Sequence, residues 1–205
     1  MPRPAGARNH DFDLKRAALL DALTDFALSA DLRRPSLRQF ALAVHQSEPT
    51  LRHYFTDRQG LVIEILENIG RRATPLWAMV AMPAADQATA LEEYFRISEA
   101  GMRVGGFIRA HAFGLIEGLA DEAAGKAYLE KVLEPALKSV SDKLRATPGG
   151  PKTEASLRAA ALATLSPMLV MSLHQELLGG GESAPIDIGE TMTSLRGWLS
   201  KGLSA

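Results

Sequence analysis

The stretch from Ser36 to Leu61, SLRQFALAVHQSEPTLRHYFTDRQGL, constrains this chain more than any other, because it carries two helix starts with room for only a tight turn between them. Ser36 and Gln39 form a Ser-x-x-Gln capping box, and Leu37, Phe40, Ala41 and Val44 recur at three- and four-residue spacing, which predicts a short amphipathic helix. The next helix opens at Ser47, whose hydroxyl can cap a free amide. Glu48 then faces the positive helix end, and Pro49 occupies the first turn, where its missing N–H does no harm. Leu51 and Phe55, four apart, supply its buried side. Asp57 caps a longer helix to about Arg72, with Leu61, Ile65 and Ile69 in register.

Opposite Leu51 and Phe55, at about 100° per residue, lie Pro49, Thr50 and His53, with Arg52 and Tyr54 on the flanks. A packed helix that turns small, hydrogen-bonding and cationic groups outward suits a DNA major groove. Two short capped helices joined by a turn also occur in all-α proteins that never touch DNA, so spacing leaves both readings open.

The preceding segment, KRAALLDALTDFALSADLRRPS from Lys15 to Ser36, adds a third helix. Together the two stretches resemble the N-terminal domain of tetracycline-repressor-like (TetR family) transcriptional regulators. The resemblance runs through Leu19-Leu20, Ala22, Phe26, Pro35-Ser36, Phe40-Ala41, Pro49-Thr50-Leu51, Tyr54-Phe55, Arg58 and Leu61, and covers about a quarter of the 205 residues. It implies a homodimeric, ligand-responsive repressor that binds a near-palindromic double-stranded DNA operator and is released by a small, largely apolar effector. Ser36, Arg38, Arg52, Tyr54 and Arg58 would then hold phosphates, and Pro49, Thr50 and His53 would face base edges. Four positions depart from the family pattern: His45 stands for the usual turn Gly, Gln46 for an apolar residue, Arg52 for Tyr and Arg58 for Lys. A left-handed backbone at His45 costs more than at Gly. His45 and Gln46 favour the alternative, a DNA-independent or nucleoid-associated protein-interaction dimer on the same scaffold.

Charge adds little to this choice. Residues 1–60 carry nine Lys/Arg against seven Asp/Glu, and the rest of the chain is acidic enough to bring the total to −1. Any cations that bind DNA must therefore converge on one face. Arg3 and Arg8 lie in a Pro/Gly-containing N-terminal segment, residues 1–10, expected to be a flexible arm. The absence of cysteine excludes disulfides, thiolate nucleophiles and Cys-based zinc sites. No segment is expected to cross a membrane and no signal-peptide core is evident, so the expected location is cytoplasmic.

Beyond the first four helices the pattern predicts Gln87–Met102, Gly105 to about Leu119, Asp121–Ala146 kinked at Pro135, Glu154–Leu178 and Asp187–Leu203. Pro75 is expected to bend or interrupt the chain, with a hinge at Thr74-Pro75, and TPGGPK at 147–152 reads as a loop. With no competing strand signal, the fold class is all-α with about nine helices. The expected division is a helix-turn-helix domain at 1–56 and a helical effector-binding and dimerisation domain at 57–205.

From Leu157 to Leu173 apolar residues surround the helix almost completely, which demands burial on more than one side. Leu165, Met168, Leu169 and Leu173, with Met192, Leu195, Trp198 and Leu199 of the last helix, are the expected homodimer interface. Trp77, Phe95, Met102, Phe107, Phe113, Ile116 and Met171 are candidates for the apolar lining of an effector pocket, with His111, His174 and Gln175 as polar groups. No carboxylate stands at ligand spacing beside His111 or His174, so neither metal nor cofactor is expected. The chain shows no nucleophile elbow, phosphate loop or metal motif, and an enzyme is not expected.

Overall fold

Each short N-terminal helix starts where its capping residue stands. The computed structural model describes residues 5–29, 34–104 and 106–203 and, within them, all side chains but those of 5–10, 102–104, 107 and 203. Helices α1 (Ala5–Ala27), α2 (Leu37–Ala43), α3 (Glu48–Phe55) and α4 (Arg58–Val80) form the first half. The Ser36 hydroxyl accepts the Gln39 amide at 3.2 Å while the Gln39 side chain accepts the Ser36 amide at 2.8 Å, closing the box. Ser47 caps α3 through the Thr50 amide and Asp57 caps α4 through the Gly60 amide. Helix α1 already runs from Ala5, inside the segment expected to be an arm.

The α2–α3 turn is a Schellman motif. The Gln46 amide donates to the Ala41 carbonyl at 2.9 Å and the His45 amide to the Leu42 carbonyl at 3.2 Å, with His45 at φ 53°. The left-handed position that suits glycine is thus taken by histidine. Between α3 and α4, Thr56 sits at φ 66°, ψ −64°, and the Asp57 amide donates to the Phe55 carbonyl at 2.7 Å, a strained γ-turn. That carbonyl would lie 2.6 Å from a Cβ at position 60, which is why Gly60 follows.

Helix α4 does not break at Pro75, contrary to the expected interruption. The ring removes only the hydrogen bond to Arg71, and residues 71 and 75 are both exposed, so water can satisfy the freed carbonyl. The helix spans roughly 34 Å and joins both halves.

Next come α5 (Gln87–Val104), α6 (Gly106–Gly118), α7 (Glu122–Tyr128) and α8 (Glu134–Ala146). A π-helical turn, Leu129–Leu133, links α7 to α8. The predicted kink near Pro135 takes this form: a proline ring crowds the carbonyl four residues back, that of Lys131. The Lys131 carbonyl packs on Gly70 of α4, where any side chain would collide with it.

Helix α9 (Glu154–Ser172) runs into a second π turn, Leu173–Leu177. Gly179, at φ 75°, then leads into the short α10 (Gly180–Ser183), and α11 (Ile188–Leu203) starts where Asp187 caps the Glu190 amide at 2.9 Å. No strand occurs among the described residues, and the fold is all-α. Counting α7–α8 as one interrupted helix and α10 as a single turn leaves the predicted nine.

Two cores share α4. The first joins Leu23, Phe40, Leu51 and Phe55 to Leu61 and Ile65 of α4, and also to Phe113 of α6 and Tyr128 of α7. It therefore extends across the expected 56/57 division. The second joins Val80 at the far end of α4 to α5, α8 and α9 through residues such as Leu91, Leu137 and Leu165. Within residues 154–177 an 18-residue window of mean hydropathy 1.4 makes the helix long and apolar enough to cross a membrane by length and composition, which corrects the expectation that no segment is; 44% of that window is buried inside this chain.

Candidate functional site

Helix α3 is anchored by Leu51 and Phe55, which are 0% and 2% exposed. Pro49, Arg52 and His53 are exposed on its other side, Thr50 and Tyr54 half-buried, and Arg38 is exposed on α2. Phe12 of α1 stacks on Tyr54 at 4.9 Å between ring centroids and meets His53 edge-on at 5.7 Å, so α1 braces the outward face. Arg16 holds the same helix by donating to the Tyr54 carbonyl, lies over the Phe55 ring, and pairs with Glu64 of α4. The Thr50 hydroxyl is 2.8 Å from that of Ser47.

Two expected phosphate contacts are otherwise engaged. The Ser36 hydroxyl is used on both sides by Gln39, as cap acceptor and as donor at 3.1 Å. Arg58 donates from Nη1 and Nη2 to Glu117 of α6 at 3.0 and 2.6 Å, and from Nε to the Pro35 carbonyl at 2.7 Å. Arg34 adds a third bond to Glu117 at 3.2 Å. A carboxylate with 1% side-chain exposure requires such partners, and the bidentate fork supplies them. Arg58 thereby ties the start of α2 and the start of α4 to α6, and is not a free phosphate donor in this arrangement.

Other polar groups of the first core also bond across helices. Asn68 donates to Asp21 and Thr24, both at 2.9 Å, and with Arg72 holds the Asp21 carboxyl below its ordinary range. His111 is fully buried, its Nδ1 lies 2.8 Å from the Tyr128 hydroxyl, and burial pushes its imidazole down to about 4.

The residues expected to form one pocket are dispersed. Of the expected residues whose side chains are described, Trp77 alone lines a small, partly open cavity between α4, α5, α8 and α9, with Leu76, Val80, Tyr94, Ile97, Ser98, Gly101, Ala136, Ser139 and Leu165. Phe95 instead faces a surface groove between α5 and α11. Phe113 belongs to the first core, His111 to its α6–α7 packing, and Ile116 is half-buried elsewhere on α6. Met171 packs in the second core. Gln175 bonds His174 at 2.7 Å and accepts the Ile186 amide, stapling the second π turn to the following loop. The side chains of Met102 and Phe107 lie outside the described residues, as do Arg3 and the side chain of Arg8.

Tyr94, Ser98 and Ser139 are the polar cavity residues that sequence reading missed; no motif marks them, and only the helix register of Tyr94 and Ser98, four apart, places them together. Tyr94 is 4% exposed, and burial raises its hydroxyl to about 12, so it stays protonated at neutral pH. Ser98 bears on that hydroxyl and moderates the rise, whereas the Trp77 Nε1–H is buried without a hydrogen-bond partner.

The expected dimer residues also divide. Leu165 and Met168 are buried in the second core, and Leu169, Met192, Leu195 and Leu199 pack half-buried against it, so the chain itself covers them. Leu173 is half-buried in the π turn. Trp198, at 68%, is exposed as expected. The uncovered side of α9 carries Ala159, Leu162, Ala163, Ser166 and Val170. The stripe differs from the expected one because α8 and α11 cover the other two sides of the helix.

Among the described residues no group of three or more His, Asp or Glu side chains is placed to hold a metal ion. Comparison with known protein families and with curated proteins finds no match to this chain.

Proposed function

We propose that this chain is a homodimeric, ligand-responsive transcriptional repressor of the tetracycline-repressor type, acting in the cytoplasm on a near-palindromic operator. The observation that carries the reading is α3: a two-turn helix pinned by Leu51 and Phe55, braced by α1, and exposing Pro49, Arg52 and His53. Arg38 and Arg52 supply charge to the backbone, while Thr50, Pro49 and His53 meet base edges. Two such heads, roughly 34–36 Å apart, would enter successive major grooves. The uncovered stripe of α9 with Trp198 is the surface for the twofold contact.

Effector release works through α4. Its far end carries Trp77 in the cavity wall and its near end carries Arg58 in the grip on Glu117. A ligand that displaces Trp77 shifts a continuous helix to which the head is bound. A differential affinity of about 1–3 kcal/mol between the two head arrangements changes operator affinity roughly 5–150-fold.

The test is selection of genomic or random DNA fragments by the purified protein at near-physiological salt. Enrichment of a near-palindrome supports the reading; no enrichment with the dimer intact assigns the scaffold to protein interaction instead. On the selected site, Arg52→Ala weakens all sequences alike and flattens the salt dependence, whereas Thr50→Ala changes base preference. A base-specific loss at Arg52 would overturn that division of labour.

A further inference from the structure

We infer that Phe12 of α1 is a positioning residue for base readout: packed against the Tyr54 and His53 rings, it fixes the direction in which α3 presents the His53 imidazole. The inference rests on reading α3 as the recognition helix and adds a specificity determinant that lies outside the helix-turn-helix.

The three rings touch pairwise. Phe12 stacks on Tyr54 at 4.9 Å and 29°, meets His53 edge-on at 5.7 Å and 84°, and His53 meets Tyr54 at 5.4 Å and 65°. Successive residues of a helix point about 100° apart, so the Phe12 ring spans two side chains that would otherwise diverge. The need for such a contact lies in His53. Its side chain is exposed, and neither ring nitrogen has a hydrogen-bond partner among the described residues. Rotation of an imidazole about χ2 is broad and nearly two-fold. With no hydrogen bond to select an angle, packing against the neighbouring rings selects it. An imidazole reads a base edge by aiming one nitrogen at one polar atom, and a ring left free to turn would spread its contact over more than one base.

Burial does not account for Phe12. The residue is 37% exposed and belongs to neither hydrophobic core. The backbone of α3 is held instead by Arg16, one turn further along α1, which donates from Nε to the Tyr54 carbonyl at 3.3 Å and lies 5.2 Å from the centre of the Phe55 ring. Arg16 is itself fixed by Glu64 of α4. Two residues one turn apart on α1 thus act on different parts of α3: Arg16 sets where the helix lies, and Phe12 sets where its outward rings point.

The test joins a DNA-free and a DNA-bound readout on the full-length protein. Proton NMR of the free protein, with the His53 ring resonances assigned by their loss in His53→Ala, should show nuclear Overhauser contacts from that ring to the Phe12 ring. On the operator obtained by fragment selection, His53→Ala identifies the base pair read by His53 as the one whose preference collapses. Phe12→Leu, with its helical melting transition retained, should reduce the preference at that same base pair by about threefold or more and leave the base pair that Thr50→Ala disturbs unchanged. Phe12→Tyr, which keeps the ring, should restore it. Absent ring contacts, no base pair sensitive to His53→Ala, a uniform loss of affinity in Phe12→Leu, equal losses at both base pairs, an unchanged preference, or no restoration by Phe12→Tyr would each overturn the inference. Loss of the melting transition in Phe12→Leu would overturn it equally, by making Phe12 a structural residue. An enriched operator with any of those results removes the role of Phe12 alone, whereas no enriched DNA removes the recognition reading and this role with it.

Discussion

The two cores differ in how they hold their buried polar groups. In the first, Glu117 is gripped by Arg58 and Arg34, and Asn68 bridges Asp21 and Thr24. In the second, the Trp77 indole N–H faces a small cavity with no partner, while Lys143 is held by Glu93 and the Met82 carbonyl. A saturated network holds one geometry, because every alternative leaves a charge or a donor unpaired. A buried donor left without a partner costs stability. The contrast sets a core cross-linked by charged side chains beside one packed mainly through apolar groups, with α4 running between them.

The largest effect should come from opening the first core's grip. Glu117→Ala leaves Arg58 half-buried against an empty site, and chemical denaturation should show a loss of about 3–5 kcal/mol. A loss below about 1 kcal/mol would mean that the grip contributes nothing to the head's rigidity.

Acid provides the next test, again on the first core. His111 titrates near 6.5 in the unfolded chain and at about 4 when folded, since burial disfavours the imidazolium. Between those values the unfolded chain binds more protons, so stability declines as pH falls through that window, by up to about 3 kcal/mol. Unfolding free energies measured across this range should lose that component in His111→Phe; an unchanged slope would place the acid sensitivity elsewhere.

In the second core the expected loss is smaller. Tyr94→Phe removes a buried hydroxyl that Ser98 partners one helical turn away, and should lower stability by about 0.5–1.5 kcal/mol in the same denaturation experiment. A gain instead would show that the hydroxyl is unsatisfied.

The smallest expected change lies in the head's turn. His45→Gly relieves a left-handed backbone at φ 53° and should stabilise by about 0.5–1 kcal/mol, read as a rise in the denaturation midpoint. Destabilisation would mean that the histidine side chain holds the turn.

Legibility in the sequence follows the range of the interactions. Ser36 with Gln39, Ser47 with Thr50 and Asp57 with Gly60 all act within three residues, so the starts of α2, α3 and α4 could be read directly. Pro75 misled because a proline's effect depends on which carbonyl it frees and whether water can reach it, which is a matter of packing. The pocket reading failed for a related reason. Phe113 and Met171 look equally suited to a ligand, yet one belongs to the first core and the other to the second.

The sequence by itself determined the all-helical class, the capped helices around the α2–α3 turn and the outward set of Pro49, Arg52 and His53. Hydrogen bonds within one turn and hydrophobic periodicity are enough to specify them. Only the tertiary structure decided that Arg58 closes on Glu117, that Leu165 turns inward while Val170 stays exposed, and that Trp77 and Tyr94 wall the same cavity. Each of those outcomes depends on residues far apart in the chain meeting across packed helices, and helical periodicity carries no information about which faces meet.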